Sequence, residues 1–195
     1  MFVVFKKYKM KKVYLVHGWG GNNSSEGWFG WLKGEMKKRK VELIGFDMPD
    51  TDKPEIEKWV GFLEKNVKID DINEETYFIG HSIGCQTILR FLEKQDKKIA
   101  GCVFVAGWFN LKDLEENEIE IAKPWLTRKI DFNKARKNCK KFLAIFSDDD
   151  PYVPVSDAEI FKKNLGARII IKHNKEHFNN VSRIDEILDF VVPKN

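Results

Sequence analysis

The chain is short of cysteine, of long hydrophobic runs and of any real excess of charge, and each shortage removes a class of protein. Cys85, Cys102 and Cys139 are its only cysteines. They are far apart, odd in number and form no C-x-x-C. That excludes a disulfide framework and a zinc knuckle, and fits buried thiols in a reducing compartment. No apolar run approaches the roughly 18 residues of a membrane helix, and the apolar start of "MFVVFKKYKMKK" is too short for a signal-peptide core. A cytoplasmic location is therefore expected. Thirty-four Lys and Arg against 30 Asp and Glu leave a charge of only +4. This excess is spread along the chain, so neither nucleic acid nor a membrane surface is expected as a partner. The densest basic run, Met36 to Lys40, falls where a helix should end, and cations there suit the helix dipole. Internal repeats and low-complexity linkers are absent as well.

What is present suits one folded domain. The chain has 195 residues, of which 43% are hydrophobic and 13% aromatic. Short apolar, β-branched runs recur at Val13–Val16, Val41–Phe46, Thr76–Ile79, Ile99–Ala106, Lys141–Ser147 and Arg168–Lys172. Continuous runs of this kind read as parallel strands buried on both faces. Helical patterns lie between them, at Trp28–Lys38, Pro54–Lys65, Ile83–Lys94, Ser156–Asn164 and Arg183–Val192. Pro54 is placed as a first-turn residue, and Ser156 with Glu159 reads as a capping box. The alternation predicts an α/β fold, a mostly parallel six-stranded sheet with helices on both faces. One connection is too long for the pattern. Residues 107–140, with an acidic run followed by Pro124 and Trp125, form either a surface excursion or a cap-like insertion. Residues 1–11 read as an N-terminal extension, with Met10 as an alternative start.

The chemistry gathers around Gly80-His81-Ser82-Ile83-Gly84. A G-x-S-x-G is weak alone, arising by chance in about 5% of chains this long. Here it follows a predicted strand and opens a predicted helix, which is the setting of a nucleophile elbow. There Ser82 would be the nucleophile, and the Ile83 N–H at the helix N-terminus would face a developing oxyanion. The glycine-rich "HGWGGNN" after the first strand offers the Trp19 N–H as a second donor. It lacks the Lys-Ser/Thr of a phosphate loop. After the fifth strand, "SDDDPYVP" supplies the acid at the carboxyl end of the sheet, where sites in open α/β folds lie. His173 and His177 both follow the sixth strand; His177, further along the loop and before the closing helix, is the better placed base. His17, Trp28, Trp108 and Trp125, with Trp19 and Trp31, lie in segments that should surround the elbow and wall a narrow apolar pocket.

These segments together resemble the small α/β-hydrolases typified by retinoblastoma-binding protein 9. The resemblance runs from about Lys12 nearly to the end. It covers Gly27–Met36, "DMPD" (Asp47–Asp50), "IGHSIG", "KPW" (Lys123–Trp125), Asn138–Cys139, "DDPYVP" and His177–Phe178. It implies a serine hydrolase with a reduced six-strand sheet, no metal and no organic cofactor, and the triad Ser82, Asp150 and His177. Asp150 also precedes Pro151, which biases it to extended geometry and stiffens the turn. Asp148 is expected only to start the turn, and Asp149 to be mostly solvated. Two departures limit the resemblance. His17 and Trp19 stand where the namesake has a proline and a small polar residue, so the pocket wall should differ. The namesake's Leu-x-Cys-x-Glu is absent, since no cysteine precedes Cys85, and the retinoblastoma protein is not expected as a partner. The expected reaction is cleavage of carboxylic esters or amides of small molecules. Thioesters and peptides are the runner-up substrates, and a non-catalytic binding module is the rival from another class.

Overall fold

The structure is a computed structural model that describes residues 10–24 and 27–193. Most of the predicted N-terminal extension therefore lies outside the described residues. Six strands form one sheet: β1 (Lys12–Val16), β2 (Glu42–Phe46), β3 (Thr76–His81), β4 (Gly101–Val105), β5 (Phe142–Ser147) and β6 (Arg168–Lys172). Their order is β2-β1-β3-β4-β5-β6, and every pairing is parallel. Parallel neighbours need a crossover, and helices supply it: α1 (Gly27–Lys38), α2 (Ile56–Asn66), α3 (Ile83–Leu92) and α6 (Asp157–Leu165), while α7 (Asp185–Val191) follows the last strand. Within the insertion lie α4 (Glu116–Thr127) and α5 (Phe132–Lys137).

Side-chain alternation divides the apolar residues of each strand between two cores. Tyr14, Val16, Phe78, Phe104 and Phe146 pack with α2, α3 and α6, whereas Val13, Leu15, Ile79, Val105 and Ile145 pack with α1 and α7. The central strands β3, β4 and β5 are buried along their whole length, while the edge strands β2 and β6 are half exposed. Among the described residues no helix is long and apolar enough to cross a membrane.

Three local expectations change. Ser156 has helical backbone angles and makes no side-chain cap bond, so no capping box forms there. The box opens α4 instead, between Glu115 and Glu118. Pro54 lies before α2 and not in its first turn. The fourth strand is shorter than its apolar run: Ile99 makes only an isolated bridge to Cys139, and Ala106 turns out at φ 48°.

The topology opens a crevice. The chain leaves β1 for a helix on one face, α1, and leaves the adjacent β3 for a helix on the other, α3. Loops that part in this way leave space above the carboxyl ends of the two strands.

Candidate active site

Ser82 sits in that crevice because the chain around it can hardly go elsewhere. A Cβ on Gly80 would lie 2.7 Å from the Cys85 nitrogen, and one on Gly84 would lie 2.5 Å from the Val16 carbonyl oxygen. The two glycines therefore let β3, α3 and β1 pass at backbone contact, and Ser82 is pinned between them at φ 53°, ψ −125°. A non-glycine residue there stores about 1–3 kcal/mol of strain. The turn is tied by Ser82 N–H to the Val105 carbonyl at 2.9 Å, and Ile83 begins α3. Gly18, in the loop after β1, lies against the same turn; a Cβ on it would be 3.1 Å from Ser82 Cβ. The next residue, Trp19, lines the crevice.

The other half of the site is assembled by hydrogen bonds between the loops that follow β5 and β6. Asp148 accepts from His173 Nδ1 at 2.5 Å and from the Asn174 N–H. Asp149 Oδ1 accepts the N–H groups of Lys175 and Glu176 at 3.0 and 2.9 Å, and the Ser147 hydroxyl at 2.6 Å. Asp150 Oδ2 accepts His177 Nδ1–H at 2.8 Å. Three successive aspartates thus hold successive parts of a loop in which Asn174, Glu176 and Phe178 all have positive φ. Asp149, expected to be mostly solvated, is an anchor; its exposed side chain takes backbone partners that lie 26 and 27 residues away. The Ser147 hydroxyl first, and then these N–H groups, hold its carboxyl below the ordinary range, and His173 does the same for Asp148.

Asp150 is fixed on both sides. Its Oδ1 accepts the Tyr152 and Val153 N–H groups, each at 2.9 Å, which aims Oδ2 at the histidine. His81 links the two halves of the site by donating Nε2–H to the His177 carbonyl at 2.8 Å. Nothing in its sequence position marks this role.

A cavity of about 420 Å³ unites these parts. Its lining includes Gly18, Trp19, His81, Ser82, Trp108 and His177. Trp108 also donates its indole N–H to Ser82 Oγ at 3.3 Å, a contact that pattern reading could not supply. Its backbone carbonyl is held by Gln86, which in turn accepts from Arg90, a guanidinium pushed down to about 10 by burial. Cys85, three residues past the serine, is fully buried, and burial pushes its thiol up, so it is no rival nucleophile.

Four of the expected pocket residues lie elsewhere. His17 is fully buried, and its ring joins β1 to the segment after β2: Nδ1–H donates to the Gly18 carbonyl and Nε2 accepts the Met48 N–H. Trp28 is core on the α1 face, edge-on to Phe29 and His81. Trp125 is buried against Trp59 and donates to the Pro54 carbonyl at 2.9 Å, tying the insertion down. Trp31 packs on the α1-side core with Arg183 over its ring. Bulk and nearness in sequence suggested a pocket wall; the amphipathic faces of their helices sent these indoles inward instead.

Residues 13–187 match the family model described as "Serine hydrolase". The chain is 29% identical over 170 residues to the putative hydrolase YdeN of Bacillus subtilis, covering 86% of each chain. It is 27% identical over 171 residues to the serine hydrolase RBBP9 of Rattus norvegicus, covering 87% of this chain and 88% of that one. The crystal structure of the B. subtilis ydeN gene product superposes with a TM-score of 0.83 at 25% identity, over 95% of this chain and all of the other. Est1E of Butyrivibrio proteoclasticus, solved with ferulic acid bound, shares the fold with a TM-score of 0.69 at 14% identity, over 94% and 87% of the two chains.

Proposed function

The chain belongs to the serine hydrolase family, and from that premise we propose that it cleaves carboxylic esters or amides of small molecules through an acyl-serine intermediate. One observation carries this reading. Ser82, in its strained turn at the start of α3, shares a cavity with His177, whose far ring edge is bonded to the buried Asp150.

In the proposed cycle Ser82 Oγ attacks the carbonyl carbon while His177 Nε2 takes its proton. Asp150 keeps the imidazole in the Nδ1–H form and stabilises the imidazolium. The negative charge on the former carbonyl oxygen falls to the backbone N–H groups of Trp19 and Ile83. His177 then protonates the leaving oxygen or nitrogen, which departs with its bonding pair and leaves the acyl-serine. Water attacks next, His177 accepts its proton, and the same proton returns to Oγ as the acid is released. With Trp19 and Trp108 lining a cavity of about 420 Å³, short acyl chains fit better than long ones.

Intact-mass labelling with a fluorophosphonate, followed by peptide mapping, tests the nucleophile. The expected result is a single adduct on Ser82, absent from Ser82→Ala. An adduct formed at wild-type rate in Ser82→Ala would overturn the assignment. A series of 4-nitrophenyl esters should peak at short chains, and a maximum at long chains would contradict the pocket reading.

A further inference from the structure

The insertion contributes Leu111, Leu114 and Glu118 to the cavity. Apart from the histidines and Tyr152, Glu118 is the only ionisable residue among those that line the cavity. It is half buried and it is held in place. Its Oε2 accepts the Glu115 N–H at 2.9 Å, half of the reciprocal box that opens α4. The cap bond holds the carboxylate at the start of α4, on the cavity side. Among the described residues it has no cationic partner: Lys112 donates to the Asp150 carbonyl and Lys123 pairs with Glu120. Trp19, Trp108 and Tyr152 line the same cavity. An immobilised carboxylate among aromatic surfaces is the composition that binds an organic cation, the carboxylate supplying charge and the ring faces their quadrupoles.

We propose that Glu118 is a specificity-determining residue that selects ester or amide substrates carrying an ammonium group over their neutral isosteres. This rests on the reading of Ser82 as the nucleophile and adds a substrate class to it. An anionic substrate would be repelled by the same carboxylate, so the pocket discriminates by sign.

The test is a ratio of kcat/KM within isosteric pairs. Acetylcholine against 3,3-dimethylbutyl acetate places the charge on the alcohol side, and methyl 4-aminobutanoate against methyl pentanoate places it on the acyl side. In one of the two pairs the cationic ester should be preferred by about tenfold or more. The preference should fall to within about twofold in Glu118→Gln, invert in Glu118→Lys, survive in part in Glu118→Asp, and shrink in molar salt. Because each variant is judged by its own ratio, a general loss of activity does not mimic the effect. Equal rates in both pairs, or a preference that persists in Glu118→Gln, would overturn the proposal while leaving the hydrolase reading intact. If no ester is cleaved and Ser82 resists the fluorophosphonate, the reading of the site fails, and this inference fails with it.

Discussion

Two aspartate–histidine pairs bridge the same two loops, and only the inner one shares a cavity with Ser82. Asp148 bonds His173 and Asp150 bonds His177, each through Nδ1, with separations of 2.5 and 2.8 Å. The exposures differ widely. The outer pair's side chains are 81% and 42% exposed for histidine and aspartate, the inner pair's 10% and 2%. The bond alone therefore does not make a catalytic pair. In water the outer pair gains little beyond local order, because solvent screens so exposed a contact. The inner pair is shielded, its acid is pinned by two backbone N–H groups, and its imidazole shares the cavity with Ser82.

Substitution of the histidines should separate the pairs most widely. His177→Ala should lower kcat by about 10⁴-fold or more, since Ser82 loses its base. His173→Ala should stay within about tenfold of wild type. The reverse ranking, measured by steady-state kinetics on a short-chain ester, would move the active centre to the outer pair.

A somewhat smaller effect is expected from the acids. Asp150→Asn keeps the shape but favours the wrong imidazole tautomer, for a loss of about 10³–10⁴-fold in kcat. Asp148→Asn should cost only a few-fold. Asp149→Asn falls between, at about 10–100-fold in kcat with little change in KM, because a neutral amide oxygen holds less firmly the Lys175 and Glu176 N–H groups that set the path to His177. Matched circular dichroism spectra would show that the three variants are folded. An Asp149→Asn enzyme indistinguishable from Asp148→Asn would remove the anchoring role.

Acid should act on the loop through the two outer aspartates. Both carboxyls are held below their ordinary values in the folded chain. Their stabilisation is therefore complete above the unfolded value near ~4 and is lost as pH falls through the lower folded value. Protection of the amides at residues 173–177, taken relative to intrinsic exchange at each pH, should fall over that range, and Asp149→Asn should show low protection at neutral pH already. Unchanged protection in the wild type would argue that the aspartates are not what orders the loop.

The smallest effect concerns the serine turn. Ser82→Gly removes the side chain that positive φ disfavours, so it should abolish ester cleavage yet raise stability by about 1 kcal/mol, or about 2–4 °C in Tm. An unchanged or lowered Tm would mean that the elbow holds no strain.

The sequence by itself determined the sheet, the strand–turn–helix around Ser82 and the chain order of serine, acid and histidine. Those signals are local. Burial on both faces makes strand runs continuous, and the approach of three backbones to one turn demands glycine at Gly80 and Gly84. Only the tertiary structure decided what depends on partners distant along the chain. Asp149 became an anchor because residues from another loop arrive above it, and His81 a link because the His177 carbonyl does. Trp28 and Trp125 became core while Trp108 met Ser82 Oγ, because which face of a segment turns inward is set by the elements packed against it. An indole looks the same in sequence whether it fills a core or walls a site; the packing around it makes the difference.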